Sequence, residues 1–109
     1  MKEASTVVAL LRQKGLTLST AESCTGGLLS AAITAIPGAS SVFPCGITAY
    51  AAECKQQLLS VPEELLREQG TVSADTAAAM ATGVRQSANT SLGVAVTGVA
   101  GPDPTEGKP

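Results

Sequence analysis

The sequence predicts a layered α/β domain, and three observations support this. Apolar patterns of helical period alternate with short strand-like runs. Two glycine-rich loops stand at the ends of such runs, at Thr25-Gly26-Gly27 and Gly98-Val99-Ala100-Gly101. Apolar residues make up 44% of the chain, yet Phe, Tyr and Trp together supply only 2%. A core of Ala, Val, Leu and Ile lets helices approach a sheet closely, as a layered fold requires.

Taken in order, Ala4, Val7, Val8 and Leu11 recur at helical spacing, and Gly15 after Lys14 is a C-terminal stop. Residues 16–20 (LTLST) alternate and predict a strand. The run from Leu28 to Ile36 keeps a helical stripe at Leu29, Ala32, Ile33 and Ile36, ended by Pro37-Gly38. Val42 to Tyr50 predicts a second strand, interrupted by Pro44, and Ala51 to Leu59 a short helix. Pro62 opens a further helix whose first turn holds Glu63 and Glu64, and Gln69-Gly70 ends it. Ser73 is a favourable N-cap for a longer helix with apolar positions at Ala77, Met80, Ala81, Val84 and Ala88. Leu92 to Thr97 (LGVAVT) predicts a third strand, apolar enough to be central. The three strands predict an incomplete sheet with one open edge, and hence self-association into a homo-oligomer.

The chain of 109 residues suits one domain, 1–109, with no internal repeat or linker. Such a length buries roughly 60–70% of its unfolded surface. The net charge of −2 comes from 7 basic and 9 acidic side chains spread along the chain, with no Lys/Arg cluster. With so few aromatics for base stacking, nucleic acid is not an expected partner. No apolar run is long enough to span a membrane, and the first residues lack a signal-peptide core, so a cytoplasmic location is expected. Cys24, Cys45 and Cys54 have no CxxC spacing and read as free thiols. Histidine is absent. That excludes a Ser-His-Asp triad, a Cys-His pair and a His-based zinc site, and no metal or cofactor is expected. A hydrolase of this composition must take its base from a lysine, a tyrosine, a carboxylate or a bound cofactor.

Ligands of open α/β sheets bind at the carboxyl ends of strands. Thr25-Gly26-Gly27, opening a helix, suits a phosphate or an oxyanion, although the same residues would also make a plain tight turn. Ser23 stands at the strand-to-helix junction, where a nucleophile or an N-cap would both fit, and Cys24 is the rival nucleophile. Tyr50 and Lys55, five residues apart, could move a proton, since burial can make a lysine a base.

These residues together resemble a known family. Residues 20–27 (TAESCTGG) are similar to the signature of the CinA C-terminal domain, whose stand-alone form PncC is a nicotinamide mononucleotide deamidase. The resemblance continues through Pro37-Gly38, Tyr50 with Glu53 and Lys55, Gly70-Thr71-Val72-Ser73, residues 96–102 (VTGVAGP) and Lys108-Pro109. It implies a three-layer α/β/α sandwich and hydrolysis of nicotinamide mononucleotide to nicotinate mononucleotide and ammonia, with no cofactor. It implies Ser23 as nucleophile and Lys55 with Tyr50 as its proton-transfer apparatus. It places Cys24, Thr25, Gly26, Gly27, Glu53, Thr97, Gly98 and Gly101 in substrate binding, with oxyanion donors in the backbone of Cys24 to Gly26.

Two departures from the family pattern stand out. Tyr50-Ala51-Ala52-Glu53-Cys54-Lys55 occupies the place of Tyr-Ser-Asn-Glu-Ala-Lys, replacing two polar side chains by alanine. Family domains also continue beyond Lys108-Pro109 with further strands, a closing helix and a substrate-binding arginine, which implies a truncated domain here. The alternative function is a non-catalytic nucleotide-binding or interaction module of the same fold.

Overall fold

The structure is a computed structural model and describes residues 2–99. Helix α1 (Lys2–Lys14) leads into strand β1 (Leu18–Glu22), then helix α2 (Leu28–Thr34) and a 3-10 turn (Ala39–Ser41). Strand β2 (Cys45–Thr48), helices α3 (Ala52–Leu59), α4 (Glu63–Gln69) and α5 (Ala74–Ala88), and strand β3 (Leu92–Val96) follow. The strands form one parallel sheet in the order β2-β1-β3, with Ala21 paired to Ile47 on one side and to Ala95 on the other. Each parallel step requires a helical crossover, and the helices cover both faces. One apolar cluster joins Val8 and Leu11 of α1 to Leu18, Ile33, Val42 and Phe43. The opposite face packs Ala21 and Ala49 against Leu59, Val61, Met80 and Val84. The expected three-layer α/β/α arrangement is the one observed.

The helix stops act as expected. Gly15, at φ 66°, closes α1, and the Leu16 amide returns to the Leu11 carbonyl at 2.9 Å. This closure takes residues 16 and 17 out of the first strand, so β1 runs over Leu18–Glu22 instead of 16–20. All five of its residues are buried, because the strand is central and covered on both faces; the alternation in LTLST is incidental. β2 is shorter than Val42 to Tyr50, since Val42 and Phe43 turn into the core ahead of Pro44. The Ser73 hydroxyl caps α5 by accepting the Thr76 amide at 3.0 Å.

Among the described residues β3 is an outer strand, as an incomplete sheet with one open edge predicts, with Leu92 and Val94 45% and 44% exposed. Val94 lines an apolar groove of about 250 Å³ with Val7, Leu18, Leu29 and Ile33. An unpaired, uncharged strand edge beside apolar surface invites association. The purified 109-residue chain is therefore expected to self-associate, and Val94→Lys to reduce the associated fraction. Light scattering at several concentrations checks this, and a strictly monomeric wild type would contradict it. No helix among the described residues is long and apolar enough to cross a membrane.

Candidate active site

Parallel strands bring their carboxyl ends to one edge of the sheet, and three chain segments meet there: Ser23 after β1, Ala49-Tyr50 after β2, and Thr97-Gly98 after β3. The junction is held by the sheet itself. The Ser23 amide donates to the Val96 carbonyl at 3.0 Å, and the Ala49 amide donates to the Glu22 carbonyl at 2.8 Å.

Lys55 lies one turn into α3 and is 1% exposed. A buried amine needs oxygen partners, and this one reaches across to the strand ends. Its Nζ lies 2.9 Å from the Ala49 carbonyl, 2.8 Å from the Tyr50 carbonyl and 3.0 Å from Ser23 Oγ. The carbonyls can only accept, so both must be served by N–H groups. The Ser23 hydroxyl can accept or donate. The contact between Ser23 and Lys55 is therefore the one along which a proton can pass either way. Residues 32 apart in sequence are joined because both strand ends and the first turn of α3 converge.

Tyr50 enters this arrangement through its main chain. Its ring is 70% exposed, and its carbonyl is the atom in contact with the amine. Ala51 and Ala52 carry no polar side chain, and backbone carbonyls of the two residues before them face the amine.

In the loop between β1 and α2, Gly26 and Gly27 adopt φ of 61° and 110° in succession, a path that side-chain-bearing residues resist. The Gly26 amide closes a turn onto the Ser23 carbonyl at 3.1 Å, so it is not available to an oxyanion. The amides of Cys24, Thr25 and Gly27 have no hydrogen-bond partner among the described residues. Cys24 is half-buried and faces the β3 end closely: a Cβ added at Gly98 would lie 3.2 Å from its Sγ. The Thr97 hydroxyl donates to the Thr71 carbonyl at 2.7 Å, tying the β3 end to the segment before α5. Glu53 sits on the exposed side of the first turn of α3, away from the buried Lys55 contacts. Gly101 lies outside the described residues.

Sequence reasoning missed Glu22. Its side chain is fully buried, and its carboxylate accepts four hydrogen bonds. Oε1 takes the Thr25 hydroxyl at 2.7 Å and the Leu29 amide at 2.8 Å. Oε2 takes the Ser30 amide at 2.9 Å and the Ser30 hydroxyl at 2.8 Å. The anion held at the start of α2 is thus the protein's own. Burial pushes this carboxyl up, but the bonds from Thr25, the Ser30 and Leu29 amides and the Ser30 hydroxyl outweigh it. The net result is a group held below its ordinary 4.5. The signal available in the sequence is that the residue before α2 is Gly27, which has no side chain to cap the helix.

A depressed carboxyl contributes stability that is complete above its unfolded value and is lost as pH falls through the native one. Denaturation midpoints measured from about pH 6 down to about pH 3 should fall more steeply for wild type than for Glu22→Gln. Parallel profiles would contradict the assignment.

The family model described as "CinA C-terminal domain" matches residues 1–109. A CinA-like protein of Parasynechococcus marenigrum (strain WH8102) is 58% identical over 99 residues, covering 91% of this chain and 24% of the relative. Among solved structures, a competence-damaged protein (CinA) superfamily protein from Escherichia coli matches with a TM-score of 0.95 at 36% identity, over 97% of this chain and 62% of that one. The competence/damage inducible protein CihA from Agrobacterium tumefaciens matches with a TM-score of 0.89 at 40% identity, over 97% of this chain and 65% of that one. The chain thus spans about a quarter of its curated relative and under two thirds of these solved ones. With the family model matching from end to end and the sheet and helices superposing on solved members, the chain belongs to the CinA C-terminal domain family.

Proposed function

We propose that this domain is an amidohydrolase that deamidates nicotinamide mononucleotide, with Ser23 as nucleophile and Lys55 as the group that moves its proton. The observation that carries the reading is the 3.0 Å contact between Lys55 Nζ and Ser23 Oγ, made by a buried amine that also faces two carbonyls. The substrate and the residue roles come from the family resemblance, and the contacts support the chemistry.

In this reading the reacting form of the amine is the neutral one: N–H groups serve the Ala49 and Tyr50 carbonyls, and the lone pair takes the Ser23 proton. As Ser23 Oγ bonds to the carboxamide carbon, its proton passes to Nζ. The tetrahedral oxyanion forms beside the loop, where the Cys24 and Thr25 amides are the candidate donors. Collapse breaks the C–N bond, and Lys55 returns the proton to the departing nitrogen, releasing ammonia. Water then attacks the acyl-Ser23 ester, giving up a proton to Nζ, and nicotinate mononucleotide leaves as Ser23 is reprotonated. Tyr50 contributes its carbonyl, and its exposed ring is available to a bound substrate. Glu53, Thr97 and Gly98 are proposed to border the substrate on the outer side, and Gly101 is assigned to substrate binding by the family resemblance alone.

The test is ammonia release from nicotinamide mononucleotide by the purified domain, with and without EDTA. Turnover unchanged by the chelator is expected, since no step in this route needs a metal. Loss of activity restored by a divalent ion would overturn the route. Binding of the nucleotide with no ammonia would favour the non-catalytic module instead.

A further inference from the structure

The loop that presents Ser23 has little to hold it in shape. Two successive left-handed glycines give it no intrinsic preference, and its internal backbone bonds are those from Gly26 to Ser23 and from Leu28 to Thr25. The main chain at residues 22 and 23 is pinned on both sides by Ala49 and Val96, so the loop's near end is fixed by the sheet. Its far end is fixed by something else. The Glu22 carboxylate reaches forward over the loop, takes the Thr25 hydroxyl within it, and grips the first turn of α2 beyond it through Leu29 and Ser30.

We propose that Glu22 is the positioning residue of the nucleophile loop: its buried carboxylate clamps residues 23–30 so that Ser23 Oγ meets Lys55 and the Cys24 and Thr25 amides face the reacting carbonyl. This rests on the reading of Ser23 as nucleophile and extends it to the residue beside it. Glu22 is not a proton carrier in this arrangement. Both of its oxygens are occupied by donors of the loop and α2, and Ser23 Oγ contacts Lys55 instead.

The clamp has its own support. The Ser30 hydroxyl, which donates to Glu22, sits 2.9 Å from Thr20 Oγ1, so Thr20 donates to it in turn. Thr20 pairs across the sheet with Gly46, and a methyl group there would collide with Ser30 Oγ and come within 2.9 Å of Thr20 Oγ1. The bare position on β2 leaves room for the hydroxyl chain. Geometry of this kind controls rate steeply, because a misplacement of about 1 Å can cost on the order of a hundredfold.

The experiment measures the rate at which phenylmethylsulfonyl fluoride labels Ser23, located by mass spectrometry, beside ammonia release from nicotinamide mononucleotide. Wild type, Glu22→Gln, Ser30→Ala, Gly46→Ala and Ser23→Ala are compared well below their melting temperatures, with far-ultraviolet circular dichroism of the helices reporting the folded fraction. In Glu22→Gln, whichever way the new amide turns, its NH₂ group would be set against a backbone N–H. The labelling rate per folded molecule is expected to fall on the order of a hundredfold in Glu22→Gln, and by less in Ser30→Ala and Gly46→Ala. Where ammonia release is measurable, kcat should fall with KM nearly unchanged. A purely structural role would lower melting temperatures and leave the labelling rate per folded molecule at the wild-type value, overturning the proposal. If Glu22→Gln does not fold, wild-type labelling in both Ser30→Ala and Gly46→Ala overturns it equally. A wild type that labels at Ser23 but releases no ammonia defeats the substrate assignment and leaves the clamp to be judged by labelling. A wild type that does not label at Ser23 removes the nucleophile and the proposal with it.

Discussion

Ser23→Ala is expected to lower ammonia release from nicotinamide mononucleotide by at least about a thousandfold, because it removes the atom that bonds to the carboxamide. The fold should survive, since the Ser23 main chain keeps its bonds to Val96 and Gly26. Lys55→Met should be nearly as inactive, and less stable as well: the Ala49 and Tyr50 carbonyls would lose a buried donor, at about 1–3 kcal/mol per orphaned group. Cys24→Ala should keep much of the activity, because its thiol lies toward Gly98 and makes no contact with Lys55 among those described. Initial rates and thermal melts of the three variants check this. Near-normal turnover in Ser23→Ala would remove the assignment, and inactivation by Cys24→Ala alone would move it one residue along.

The second large effect concerns packing. Gly83 lies within α5 and is buried, facing the last residue of α3: a methyl group there would collide with the Leu59 carbonyl oxygen and lie 2.7 Å from the Leu59 carbonyl carbon. On a free helix, Gly→Ala would gain about 1 kcal/mol. Here α3 would have to move off α5, opening the cluster of Leu59, Val61, Met80 and Val84. Overpacking of this kind costs about 1–3 kcal/mol, at the upper end or beyond where the obstacle is backbone. A net loss of about 2 kcal/mol lowers the melting temperature of a domain this size by roughly 8–16 °C. Lys55 is one helical turn before Leu59, so the same shift should draw the amine away from Ser23 and reduce activity in the surviving folded protein. A Gly83→Ala variant that melts at or above the wild-type temperature would show that the two helices are free to part.

Much of this architecture is legible in the sequence because local chemistry and tertiary packing agree. The stops at Gly15 and Gly70 and the cap at Ser73 sit where their residue types require. Position at the strand ends and the family signature make Ser23 and Lys55 candidates, and the fold brings them within hydrogen-bonding distance. What escapes the sequence is long-range. Rank in a sheet depends on neighbours, and among the described strands it is β1, with its polar Ser19, Thr20 and Glu22, that takes the centre. Those polar residues are tolerable there because each finds a partner: Ser19 with Thr90, Thr20 with Ser30, and Glu22 with four donors. The sequence draws notice to the phenol of Tyr50, whereas the contact this residue makes is through its carbonyl, a group every residue possesses and no sequence pattern can flag.

That last point changes what mutation can do at this end of the sheet. Two of the oxygens that seat the amine of Lys55 belong to the main chain of residues 49 and 50, so that part of its setting is specified by the course of the chain. The side chains at 51 and 52 are therefore not needed for those two contacts, and both positions are alanine here. If Ser23 and Lys55 move a proton as proposed, substitutions there that keep the backbone on its path should leave the pair in contact, and any effect they have should fall on substrate binding.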